Sequence, residues 1–332
     1  MVGYSSAFAQ DSAATETAKE EKFDPKPAIF HHIADAHKFD VLEFFSIPLP
    51  CILYSSQNGV TSFLYSEGKE INGYKCEEGK ILREDNGSFL DMSITKNVFS
   101  MLLSAILLIV IFSSVTKAYT TNKGKAPSGL QSLIEVFFVF IRDEVAKPGI
   151  GPKYEPFMPY IMTIFFFILA NNLLGMIPIF PGGANVTGNI SFTLVLALVA
   201  FIVININGTK DYWKHIFWMP GVNVPIKMFM APLEFAGVII KPVALMIRLF
   251  ANMTAGHIIV LSLISLIFVF GNAGHSLMGS GFGMVIAVPF TLFISLIEVL
   301  VAFIQPFIFA MLTAVFIGMA LEEHHHAEEA HH

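Results

Sequence analysis

The sequence predicts an all-α integral membrane protein with a small extracytoplasmic α/β region ahead of its first membrane span. Three observations predict it. Of 332 residues, 54% are hydrophobic and only 14% charged, against about 25% charged in soluble domains. The charges gather in the N-terminal quarter and in a few loops instead of mixing through the chain. Between those loops run apolar stretches long enough to cross a bilayer. Mean hydropathy is +0.64, so the net charge of −6 says little about partners. Thirty-three phenylalanines against two tryptophans suit packed and lipid-facing helices. No basic cluster points to nucleic acid.

Residues 1–22 read as a signal-like remnant and disordered leader. MVGYSSAFAQ carries an A-x-A pattern (Ala7, Ala9) before Gln10, as a cleaved secretory signal does, but lacks a signal's apolar core. A disordered leader explains it equally, and residues 11–22 are polar and low in complexity. Residues 23–95 form the extracytoplasmic region. PAIFHHIADAHKFDVLEFF, residues 27–45, has no clean apolar run and reads as a short surface helix leading into an extended segment. CILYSS, TSFLYS, GYKC and SFLDMSI then alternate as strands, punctuated by Asn58-Gly59, Glu67-Gly68 and Asn86-Gly87. His31, His32 and His37 lack the ligand spacing of a metal site and read as surface histidines. Cys51 and Cys76 both precede the first span. A disulfide between them and two separate free thiols account for the count equally.

The membrane domain is expected over 96–321, with spans at about 98–115, 157–180, 190–206, 231–270 and 282–321. A surface helix at about 128–146 has one apolar face and charges at Glu135, Arg142, Asp143 and Glu144. The 181–189 loop, PGGANVTGN, is uncharged and rich in turn formers. The last two segments are too long for an upright crossing. About twenty residues span the hydrocarbon core, whereas forty helical residues reach about 60 Å. They must tilt or break, and a tilted antiparallel hairpin suits wrapping along a partner. Loops 117–155 and 208–230 hold nearly all the lysines and arginines between spans, and 181–189 and 271–281 hold none. Five crossings then place the N-terminal region outside and the C-terminus inside. The tail EEHHHAEEAHH, residues 322–332, has interspersed glutamates that favour a native solvated tail over a metal tract or a tag.

Arg248 is the most informative residue. Arginine at the centre of a membrane helix costs about 2.5–3.5 kcal/mol on insertion scales, and the side chain does not lose its proton at physiological pH. It therefore suits a fixed electrostatic element beside an ion path. The same two segments hold Glu234, Lys241, Asn252, His257, Glu298 and Gln305. A single buried Asn or Gln can be packing glue between helices. A hairpin turning near 276–277, however, puts Arg248 level with Gln305 and His257 level with Ser295 to Glu298. Glu298 and Gln305 share a face, as do Arg248 and Asn252. His257 lies about 13 Å outward of Arg248 and roughly opposite in angle, which calls for a bend or a broad cavity. A histidine and a carboxylate in contact can pass a proton; a purely structural ion pair is the other reading.

These residues resemble one family, subunit a of the F-type ATP synthase membrane sector in bacteria. The resemblance rests on LEFAGVIIKPVALMIRLFANMTAGH (233–257) and ISLIEVLVAFIQPFIFAMLTAVFIGMALEE (294–323), supported by IFHHI, NNLLGMIPIF and NISFTLVLALVAFIVI. It implies that Arg248 is the essential stator arginine facing the c-subunit ring and that Asn252 and Gln305 line the path beside it. His257 and Glu298 match the two outer half-channel positions, with the usual Glu and His exchanged. Glu234 resembles the inner half-channel carboxylate. The expanded 46–95 segment and Ala251, where glycine is common, depart from the pattern. The implied protein is a non-catalytic, proton-translocating subunit of the cell inner membrane, N-terminus periplasmic and C-terminus cytoplasmic. It needs no cofactor and no metal, and its partners are the c ring, the peripheral-stalk b subunits and lipid. A self-contained secondary transporter or channel is the alternative, but the segments show no internal repeat. No phosphate-binding loop or nucleophile motif suggests an enzyme.

Overall fold

The computed structural model describes residues 25–322 apart from 27–28, 30–32, 43–44, 57–58, 78, 84–87, 122, 178–179, 219–222 and 272–275. The leader at 1–22, His31, His32 and the tail beyond 322 lie outside the described residues.

Short strands come first. β1 (Lys38–Leu42) and β2 (Phe45–Pro48) pair as a hairpin. β3 (Pro50–Ser55), β4 (Gly59–Leu64) and β8 (Leu90–Asp91) form a sheet of order β4-β3-β8. β5 (Glu70–Ile71), β6 (Tyr74–Glu77) and β7 (Lys80–Arg83) form another. The period of two is plain in β3, which buries Cys51, Leu53 and Ser55 and turns Pro50, Ile52 and Tyr54 outward. Gly59 and Gly68 have positive φ at two of the expected turns. Asn72 and Gly73 make a further one, with φ of 56° and 80° between paired Ile71 and Tyr74, as a tight type I′ hairpin requires.

The sheets close over Cys51, Leu53, Tyr65, Tyr74, Cys76 and Ile81. Both thiols are free and fully buried. Loss of hydration pushes the Cys51 thiol up to about 12 and raises Cys76 too. Near the start, Lys26, Ile29 and Ile33 are helical, and Lys38–Leu42 is strand because KFDVL finds a partner in Phe45–Pro48. One expectation is corrected here: His37 is buried, not superficial. Its Nδ1 donates to the Gly79 carbonyl and its Nε2 meets the Asp91 carboxylate, each at 3.0 Å. Those bonds satisfy both ring nitrogens away from water.

Helices make up the remainder. α1 spans Lys96–Thr121. α2 (Leu130–Phe140) runs through a π-helical turn, Ile141–Ala146, into α3 (Lys147–Ile150). α4 (Met158–Met176), α5 (Ile190–Ile206), α6 (Lys210–Phe217), α7 (Val224–Phe270) and α8 (Leu277–Leu321) follow. Four helices are long and apolar enough to cross a membrane, namely α1, α4 with its leading turn, α7 and α8. α5 joins α6 at a 104° bend and makes a fifth if that pair is one span. α4 ends before the expected residue 180 because Ile177, which precedes Pro178, is extended.

α4 is the inner helix, burying Ile161, Phe165 and Ile168. Ala310, Ala314 and Ile317 of α8 pack into the same core as the π-turn residues Ile141 and Val145. Small residues let backbones approach, and a Cβ at Gly318 would overlap the Gly149 carbonyl. α7 and α8 are unbroken at 47 and 45 residues, about 70 Å each. Pro232, Pro242, Pro289 and Pro306 are accommodated within them. The two pack antiparallel along each other, and Phe270 stacks edge-on against Phe282 at 5.6 Å beside the turn.

Candidate functional site

Glu234, Lys241 and Arg248 recur every seven residues on α7, so they share one side of the helix. Leu245 and Leu249, on the flank of that side, pack against Ile164, Ile168 and Phe309. Arg248 is thereby left exposed, and among the described residues it makes no hydrogen bond or ion pair. One turn further along α7, Asn252 Nδ2 donates to Gln305 Oε1 at 2.8 Å. Gln305 is buried, so this bond satisfies a group that hydrocarbon would strand. The hairpin register expected Gln305 at the depth of Arg248; its side chain bonds Asn252, one helical turn along α7 from the arginine.

His257 Nδ1 stands 2.8 Å from Glu298 Oε1, with both side chains mostly buried. The pair is close but not aligned as a hydrogen bond. Gly256 makes the approach feasible, since a Cβ there would lie 3.0 Å from Glu298 Oε1. Both residues line a cavity of about 470 Å³ together with Asn185, Thr291 and Ser295. Arg248 and Asn252 are not among its described lining residues. The angular mismatch between His257 and Arg248 is thus resolved by separation: the outer pair occupies a cavity, while the arginine faces out of the protein.

Glu234 lines a second cavity, of about 290 Å³, with Asp211, Tyr212, His215, Lys241 and Glu322. The Lys241 ammonium sits 5.3 Å over the Phe316 ring, a contact that stabilises a cation beside an apolar wall.

Sequence reasoning missed what holds the outer cavity together. Asn172 of α4 is wholly buried; its Nδ2 donates to the Ala302 carbonyl of α8 at 3.2 Å and its Oδ1 accepts from Thr187 at 2.8 Å. Thr254 of α7 donates to the Gly188 carbonyl at 3.3 Å. The loop between α4 and α5, read from sequence only as a turn, is therefore fastened to α4 and α7, and Asn172 ties α4 to α8. Paired asparagines, Asn171-Asn172, inside an apolar helix were the available signal.

Fold and site together define a polytopic membrane protein with a long helical hairpin, an exposed arginine on it and, on either side of that arginine along the hairpin, a cavity lined by ionisable residues. A family model described as ATP synthase A chain matches residues 98–318. The chain belongs to that family. Residues 28–99 match a model described as a domain of unknown function. The chain is 39% identical over 307 residues to "ATP synthase subunit a" of Chloroherpeton thalassium, covering 91% of this chain and 78% of the relative. It is 37% identical over 336 residues to the protein of that name from Chlorobium phaeobacteroides strain DSM 266, covering 98% and 85%. "ATP synthase subunit a 2" of Chlorobaculum tepidum is 38% identical over 316 residues, covering 93% and 77%.

Proposed function

We propose that this chain is the proton-conducting stator subunit of an F-type ATP synthase, itself non-catalytic, with two offset half-channels and Arg248 facing a rotating c ring. The observation that carries the reading is the contrast on α7: His257 meets Glu298 inside a cavity, while Arg248 is exposed and unpaired among the described residues. A cation of that kind suits a partner on another chain.

A proton arriving in the outer cavity binds the Glu298–His257 pair, whose members exchange it, and passes to a c-subunit carboxylate that has just left Arg248. The neutral carboxyl then tolerates lipid, which the carboxylate would not. After a turn of the ring the proton leaves through the cavity of Glu234, on the other side of Arg248 from Asn252 and Gln305, which line the path beside the arginine. Arg248 holds each deprotonated carboxylate and repels a proton that would run directly between the cavities. A potential of 100 mV supplies about 2.3 kcal/mol per charge, so one ATP takes several protons. The lysine-bearing loops support a periplasmic N-terminal region and a cytoplasmic C-terminus in the inner membrane, with the peripheral-stalk b subunits holding this chain still.

Replacing Arg248→Ala in the assembled complex tests the reading. The expected result is loss of proton-driven ATP synthesis in membrane vesicles; coupled synthesis at the wild-type rate overturns the assignment.

A further inference from the structure

Three buried polar atoms, on residues that line the outer cavity, have no hydrogen-bond partner: Asn185 Nδ2, Thr291 Oγ1 and Glu298 Oε1. Asn185 is only 4% exposed. Its Oδ1 is occupied, accepting from Gly188 N–H at 2.9 Å, so the amide is held by one end and offers the other. Thr291 does not return its hydroxyl to its own helix, whereas Thr313 and Ser265 bond the carbonyl four residues back. Thr291, Ser295 and Glu298 follow one another at spacings of four and three, on one face of α8. Buried polar groups are almost always satisfied, by protein or by ordered water, and a cavity of about 470 Å³, with an apolar wall interrupted by Asn185, His257, Thr291, Ser295 and Glu298, has room for water molecules beside those groups.

We propose that Asn185 is a positioning residue for proton access: its amide N–H, with the Thr291 hydroxyl, anchors and orients a hydrogen-bonded water file that ends on Glu298 Oε1. This rests on the half-channel reading above and assigns the loop between α4 and α5 a part in it. The polarity follows from the chemistry of the two ends. The Asn185 amide can only donate through Nδ2, so the first water turns its oxygen to the amide and its protons inward. Glu298 Oε1 accepts at the far end, and the Thr291 hydroxyl, which both donates and accepts, fits between them. Asn185 does not titrate and carries no proton itself. Among the described lining residues the titratable groups are His257 and Glu298.

The test is passive proton conduction through membrane vesicles holding the assembled sector stripped of its catalytic head, measured across a pH series. Asn185→Asp keeps the oxygen that caps Gly188 and replaces the donor with a carboxyl. Conduction is expected near wild type in acid, where the carboxyl can donate. It should fall about tenfold as rising pH ionises that carboxyl and removes the oriented donor. Thr291→Val should lower conduction several-fold at every pH, and Thr291→Ser should restore it. Wild-type rate and pH profile in both Asn185→Asp and Thr291→Val overturn the proposal. His257→Ala and Glu298→Ala in the same assay separate the two levels. If these lose conduction while Asn185→Asp keeps it, the inference alone fails. If these conduct normally, the half-channel reading fails with it.

Discussion

A guanidinium on an apolar helix is tolerated when one side of the helix is held by packing and the other meets something other than lipid. Leu245 and Leu249 supply the packing around Arg248, and the face they leave open is where a partner's carboxylate would dock. His257 and Glu298 were legible for a similar reason, since a polar group among apolar neighbours is conspicuous in one dimension. Asn185 was not, because an asparagine in a polar loop looks like any turn residue until its burial is known. The contact between His257 and Glu298 leads to a residue-level expectation. His257→Ala and Glu298→Ala should each lower proton-driven ATP synthesis by about 10²-fold or more. The exchange His257→Glu with Glu298→His preserves the pair, and synthesis in the double variant should recover most of that loss. A double variant as inactive as the singles would mean that the two side chains do not act together.

Among the elements, helices were read well and short strands less so. An apolar run of twenty residues or more admits few alternatives, whereas KFDVL becomes strand only because Phe45–Pro48 is there to pair with it. The long hairpin is antiparallel as expected, and Gln305 bonds Asn252, one turn along α7 from Arg248. Packing of α8 against the residues after the π-turn relies on glycine. Gly318→Val would drive side-chain atoms into the Gly149 backbone and should destabilise the protein by about 1–3 kcal/mol. Thermal unfolding in detergent measures this, and an unchanged midpoint contradicts the close approach. In the strand region, a thiol pushed up to about 12 is almost wholly protonated at pH 8, with a thiolate fraction of about 10⁻⁴. Cys51 and Cys76 should therefore resist maleimide in the folded protein and react once urea unfolds it. Labelling that needs a reductant as well as urea would reveal a bridge.

For the molecule as a whole, the separation of parts matters more than any one of them. On the proposed reading, two cavities divided by an exposed arginine do not conduct alone, and a partner carries the ion between them. An affinity tag on this chain should accordingly recover a c ring and peripheral stalk in mild detergent. Recovery of the chain alone, with ion flux when it is reconstituted by itself, would favour a self-contained transporter. By itself the sequence determined the membrane class, the long hairpin, the family and which ionisable residues interrupt its apolar segments. These are written as local patterns of hydropathy and spacing, which hydrocarbon enforces whatever the rest of the chain does. Only the tertiary structure decided that Arg248 points outward and His257 inward, that His37 is buried, and that a loop lines the outer cavity. Those outcomes depend on which distant segments meet, and neither the 130 residues between Asn172 and Ala302 nor any other such separation is visible as a pattern along the chain.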